Sequence, residues 1–118
     1  MKIFNRQTGR IGEAAAEDYL SQRGYKTLVR NFRTKFGEID LIMEKDQITV
    51  FVEVKTKVGL SFGSPEEMFG RGKYERVKRM ATLYLNDREI PCRIDMIAIV
   101  LDVNYLPISI NHYPEVSF

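Results

Sequence analysis

The stretch FGEIDLIMEKDQITVFVEVKTK, Phe36 to Lys57, decides how the rest of the chain is read. Two apolar, β-branched runs flank Lys45-Asp46-Gln47, a turn of a length common in antiparallel hairpins. The pattern predicts strands over Glu38–Glu44 and Ile48–Val58. Runs this apolar belong to strands buried on both faces. Asp40, Glu53 and Lys55 interrupt them. A buried charge is unfavourable unless it is paired or binds a metal, so these three residues need an explanation.

Upstream, Thr8-Gly9 precedes a helix expected over Arg10–Arg23, closed by Gly24 as its C′ residue. At 100° per residue Gly12, Ala16, Tyr19 and Leu20 share one side. Glu13 falls at the margin of that side, while Glu17 falls opposite and is expected to be solvated. Tyr25–Arg33 reads as a first strand, partly alternating and basic at its polar positions. Thr34-Lys35-Phe36-Gly37 is a turn.

Downstream, 59–65 is a Gly/Ser-rich loop. Ser64-Pro65-Glu66-Glu67 then opens a helix with an N-cap, a Pro at N1 and acids in the first turn. Gly70 and Gly72 predict a break before a longer helix over Lys73–Asn86, with Lys73, Val77, Met80, Ala81 and Tyr84 on its apolar stripe. Arg93–Asp102 is strongly apolar and belongs inside the sheet. Leu106–Tyr113 reads as an edge strand ended by Pro114. The order is αβββαββ, an α/β domain with helices packed on a sheet.

The 118 residues suffice for one domain over 1–118, and 44% hydrophobic with 29% charged residues fits a folded globular chain. A lone cysteine, Cys92, excludes an internal disulfide and fits a reducing compartment. The first twenty residues lack the apolar core of a signal peptide, and no run reaches the ~18 apolar residues of a membrane span. The expectation is a cytoplasmic protein that does not enter a membrane. The net charge is only +2, but its distribution is uneven. Residues 24–36 hold Lys26, Arg30, Arg33 and Lys35 and no acid; residues 71–79 hold Arg71, Lys73, Arg76, Lys78 and Arg79 against Glu75 alone. Such segments suit a polyanion, with Arg33, Lys35, Arg71, Lys73 and Arg76 the expected nucleic-acid contacts.

Phosphodiester hydrolysis is the chemistry that best employs the three misplaced charges. It needs an activated water and neutralisation of phosphate charge. Hard divalent cations do both through oxygen ligands. Asp40 and Glu53 supply carboxylates, and the Val54 carbonyl can add an oxygen. Lys55, two residues after Glu53, shares its face of the strand. A lysine there holds the attacking water or stabilises the transition state. Symmetric pairing about Lys45–Gln47 sets Asp40 opposite position 52; an offset of one residue or a bulge sets it beside Glu53. The pattern leaves both registers open. The plain reading of Glu53-Val54-Lys55 alone is a solvated ion pair. By the same standard Arg93 and Asp95 tie a strand to a neighbour, His112 is a surface or packing residue, and Glu38 either joins the acids or pairs with Arg33.

Asp40, twelve residues, then Glu53-Val54-Lys55 resembles the active-site signature of the restriction-endonuclease-like nuclease superfamily, and a helix carrying Glu13 resembles its Holliday-junction resolvases. The chain is more closely similar to the YraN family of bacterial proteins. The matching pieces are Gly12-Glu13-x-x-Ala16, Asn31-x-Arg33, GEIDLI over 37–42, FVEVK over 51–55, GSPE over 63–66, Lys73, Tyr84-Leu85, Arg93-x-Asp95 and the ending from Asn111-His112. The resemblance implies a restriction-endonuclease-like mixed β-sheet flanked by helices. It implies Asp40, Glu53 and Glu13 as metal ligands, Glu13 directly or through water, Lys55 as the catalytic lysine, and Lys73 reaching the site or the DNA. The implied activity is a Mg²⁺- or Mn²⁺-dependent DNA endonuclease acting on branched or structured DNA, and by analogy a homodimer. The alternatives are a non-catalytic nucleic-acid-binding module and an ion-pair cluster with Lys55 bridging the carboxylates.

Overall fold

The computed structural model describes residues 2–59 and 63–117, so the middle of the loop expected over 59–65 lies outside the described residues. The elements are α1 (Lys2–Ser21), β1 (Lys26–Thr34), β2 (Gly37–Lys45), β3 (Ile48–Val58), a short 3₁₀ turn (Pro65–Met68), α2 (Arg71–Leu85), β4 (Cys92–Leu101) and β5 (Pro107–Tyr113). This is the expected αβββαββ order.

The five strands form one sheet in the order β1-β2-β3-β4-β5. Successive pairs are antiparallel except β3 and β4, which run parallel and are joined by the crossover that contains α2. The sheet is therefore mixed, with β5 at one edge as the sequence suggests. Leu41, Met43, Val50, Val52, Val54, Ile97, Ile99 and Leu101 pack against Ala16 and Leu20 of α1. Ile39, Ile42, Phe51, Met96 and Ala98 pack against Val77, Met80 and Ala81 of α2. One helix thus covers each face, which is why β3 and β4 are apolar almost throughout.

Helix α1 begins eight residues before the expected Arg10. Among the described side chains its buried residues recur every fourth position, at Thr8, Gly12, Ala16 and Leu20, so the stripe that seats the helix includes Thr8, and Gly9 lies within the helix. It ends in a Schellman motif, in which the Gly24 N–H donates to Ser21 O (3.1 Å) and the Tyr25 N–H to Leu20 O (3.1 Å). Gly24 has the left-handed φ of 91° that this motif requires. The small stripe lets α1 sit close on β3. A Cβ on Gly12 would overlap the Thr56 side chain.

Two further expectations need correction. The helix begun at Ser64-Pro65 closes after one 3₁₀ turn, and the break falls at Phe69-Gly70; Gly72 lies within the first turn of α2. Glu17 is not simply solvated: it accepts hydrogen bonds from Thr27 Oγ1 (2.6 Å) and Arg30 Nε (2.9 Å), tying α1 to β1. No helix among the described residues is long and apolar enough to cross a membrane.

Candidate active site

The β2–β3 turn settles the register. Asp46 and Gln47 both take positive φ (51° and 67°), as a two-residue type I′ turn demands. Lys45 pairs with Ile48 rather than joining the turn, and the ladder continues to Leu41 opposite Val52. The same register carries Asp40 opposite Glu53. The ladder stops there. Residues 37–39 of β2 pair only with β1, while 53–58 of β3 pair only with β4. Ile39 and Ile42, three residues apart, pack on the same face of the sheet, so the side-chain alternation slips at Asp40. The Val54 N–H donates to Asp40 Oδ2 (2.8 Å) in place of a strand carbonyl. Where the two strands part, a cleft of about 750 Å³ opens, lined by Glu13, Glu38, Asp40, Glu53, Lys55, Lys73 and flanking residues.

The cleft is electrostatically frustrated. The Glu53 side chain is 3% exposed; its Oε2 lies 2.8 Å from Lys73 Nζ and 3.6 Å from Lys55 Nζ. Its Oε1 is buried with no hydrogen-bond partner, a situation that ordinarily costs about 1–3 kcal/mol. Two ionised carboxylates cannot donate to each other, so Asp40 relieves this only by holding a proton. Asp40 keeps part of its surface open to the cleft. Even so, burial, and then the Glu53 and Glu13 charges, push its carboxyl well above the usual Asp range against the pull of the Val54 N–H. Glu13 is also raised, chiefly by burial, with the charges of Glu38 and Glu53 adding to it and an Asn31 hydrogen bond opposing it.

Glu13 reaches this group because Gly12 seats α1 against Thr56, whose own Oγ1 is a second buried atom without a partner. The Asn31 amide donates to Glu13 Oε1 (3.1 Å). Asn31 was legible only as part of the family resemblance. Its left-handed φ of 52°, which Asn tolerates better than most residues, aims the side chain from β1 at α1. Among the described residues no three acidic, histidine or cysteine side chains close around one point. Asp40 and Glu53 are thus a two-carboxylate set with Glu13 alongside.

The basic residues divide into two groups. Lys55 and Lys73 lie in the cleft. Arg33, Lys35, Arg71 and Arg76 are exposed outside it. Arg33 makes a long ion pair with Glu38 (3.5 Å), while Glu38 also lines the cleft, so both roles weighed for Glu38 are occupied. Lys35 and Arg79 both lie over the Phe36 ring, at 5.3 and 5.8 Å. That contact joins the β1–β2 turn to α2 and merges the two basic segments into one surface.

A second cluster lies on the α1 face of the sheet. Asp95, fully buried, accepts from Arg93 Nε (3.0 Å), the Tyr25 hydroxyl (3.3 Å) and the Glu115 N–H (3.0 Å), with His112 Nε2 at 2.8 Å. Burial works to raise the Asp95 pKa, but the His112, Glu115 and Arg93 hydrogen bonds outweigh it and hold it below the ordinary value. This satisfied group ties β4, β5 and the start of β1 together, the tying role expected for Arg93 and Asp95. The smaller cavity nearby, about 470 Å³ between α2 and β4, has Glu115 as its sole carboxylate among the described residues.

The model of the Uncharacterised protein family UPF0102 matches residues 12–99. The chain belongs to the UPF0102 family. It is 51% identical over 82 residues to a UPF0102 protein of Syntrophomonas wolfei, covering 70% of this chain and 71% of the relative. It is 42% identical over 118 residues to one of Caldanaerobacter subterraneus, covering 95% and 96%, and 40% identical over 105 residues to one of Moorella thermoacetica, covering 86% and 88%. The UPF0102 match includes every cleft-lining residue from Glu13 to Lys73; Thr8 and Gly9 precede it.

Proposed function

We propose that this UPF0102 protein is a Mg²⁺- or Mn²⁺-dependent endonuclease that hydrolyses phosphodiester bonds in DNA, with branched or otherwise structured DNA as its substrate. The observation that carries the reading is the pairing of Asp40 with Glu53 where the sheet splits. Two carboxylates are forced together, one is raised in pKa, and the other has a bare buried oxygen. A structural ion-pair cluster would satisfy its atoms, as the Asp95 group does.

The donor set fits a hard divalent cation. Mg²⁺ is commonly held by one or two carboxylates and keeps several waters, so the lack of a third converging acid among the described residues is compatible with it. Asp40 and Glu53 would hold the ion, with Glu13 acting through water. When bound, the ion supplies charge neutralisation at the phosphate and acidifies water. Lys55, 3.6 Å from Glu53, is placed to orient the attacking water and to stabilise charge on the phosphoryl oxygens. Arg33, Lys35, Arg71 and Arg76 hold the DNA backbone outside the cleft.

Cleavage of a four-way junction or a flap in Mn²⁺ tests the reading. Asp40→Asn, Glu53→Gln and Lys55→Ala should each abolish cleavage while the fold survives. Activity that persists in all three variants would overturn the assignment. DNA binding without cleavage in the wild type would favour a non-catalytic nucleic-acid-binding module.

A further inference from the structure

Lys73 occupies the place where a cation is wanted. Its Nζ is nearer to Glu53 Oε2 than that of Lys55, 2.8 against 3.6 Å. It belongs to the first turn of α2, which contains no acid. The positive end of a helix dipole disfavours a lysine there. It also lies four residues before buried Val77, so its stem follows the inward stripe and its ammonium emerges against the sheet. Glu53 is the partner that makes this position tenable. The arrangement is lopsided, however. Both ammonium groups sit on Oε2, while Oε1 is buried and bare.

We propose that Lys73 is an exchangeable counter-ion: it neutralises Glu53 until a divalent cation takes over that carboxylate, and then transfers its ammonium to the DNA phosphate. The inference rests on reading the cleft as a divalent-cation site. An ammonium and a divalent ion on one carboxylate repel each other, and beside a carboxylate as buried as that of Glu53 the repulsion is screened less than in water. Lys73 can answer by turning its flexible four-carbon stem without moving the helix. Lys55, on the same face of the strand as Glu53 and already 3.6 Å from it, need not move to make room for the ion. The two lysines therefore divide the work: Lys55 stays with the reacting phosphate and water, and Lys73 exchanges. A consequence is positive coupling. The ion must displace Lys73, and a DNA phosphate gives the displaced ammonium a new partner, so each ligand favours the other.

The test is calorimetric titration of the DNA-free protein with Mn²⁺. Lys73→Met should bind Mn²⁺ about three- to tenfold more tightly than the wild type, as loss of a competing ion pair of this kind allows. Lys73→Arg, which keeps the charge, should stay near the wild type. Mass-spectrometric measurement of lysine acetylation on the wild-type chain makes the test independent of any variant's folding: Lys73 should become more reactive at saturating Mn²⁺. Unchanged or weaker Mn²⁺ binding by Lys73→Met, or unchanged Lys73 reactivity on saturation, would make Lys73 a fixed structural counter-ion and overturn the exchange. If neither wild type nor Lys73→Met binds Mn²⁺, the divalent-cation reading fails and the exchange falls with it.

Discussion

The Asp40 carboxylate takes the backbone N–H of Val54 at 2.8 Å, so the β2–β3 ladder ends in a side chain rather than a carbonyl. That contact holds Asp40 beside Glu53 despite the repulsion between them. It also makes the site a place where the fold bears strain for a reason other than stability.

Neutralising Asp40 should therefore stabilise the metal-free protein. Asp40→Asn keeps an oxygen for the Val54 N–H and removes a crowded charge. A gain of about 1 kcal/mol, or roughly 4 °C in Tm for a domain of this size, is expected at neutral pH. Thermal unfolding in chelator measures it. A loss of stability would mean that the Asp40 charge is satisfied in the fold.

The pH dependence of that gain has a definite sign. Asp40 and Glu13 have folded pKa values raised above their unfolded ones. Their contribution to stability is fully present below the unfolded values, about 4, and is lost as pH rises through the raised folded values. The difference between Asp40→Asn and wild type should be near zero at the acid end and grow toward neutral pH. Asp95, held below its ordinary value, acts in the opposite sense: its stability is present above about 4 and lost as pH falls through its depressed value. Urea titrations at several pH values separate the two.

Gly12→Ala should displace α1 from Thr56. The overlap is expected to cost about 1–3 kcal/mol, and because Glu13 is the next residue, Mn²⁺ binding should weaken as well. Thr56→Ala removes part of the clash, so the double variant should be less destabilised than the sum of the single ones.

Asp95→Asn should unsettle the chain without touching the site. It breaks a buried charged network, at about 3 kcal/mol, but leaves the cleft on the other side of β3 intact. The expected outcome is a lowered unfolding midpoint with unchanged Mn²⁺ affinity.

DNA affinity should fall steeply with salt. Lys35→Ala, Arg76→Ala and Arg79→Ala should each reduce the slope of log K against log salt by about one. Fluorescence anisotropy with the Asp40→Asn protein, in which the proposed cleavage should be absent, provides the measurement. Slopes that do not change would place the DNA elsewhere.

Much of this architecture was legible because period and punctuation agreed. Ile48–Val58 matches the observed β3 at both ends, and Gly24 closes α1 where a left-handed residue is needed. Lys55 could be placed on the Glu53 face from a spacing of two. The register was not legible, since it hinges on whether Lys45 joins the turn or pairs with Ile48, and composition permits both. The start of α1 was missed because Thr8-Gly9 looks like a helix boundary until Thr8 is seen packed in the same buried stripe as Gly12 and Ala16. The links of Glu17 to Arg30 and of Asp95 to Tyr25 and His112 join residues from different elements. No local pattern encodes such pairs.

An anomalous difference map from crystals of the wild-type protein soaked in Mn²⁺ decides whether the cleft holds a divalent cation. A peak between Asp40 and Glu53, bonded to an oxygen of each, is expected. A map with no peak there at saturating Mn²⁺, and with Lys73 still seated on Glu53, would contradict the divalent-cation reading.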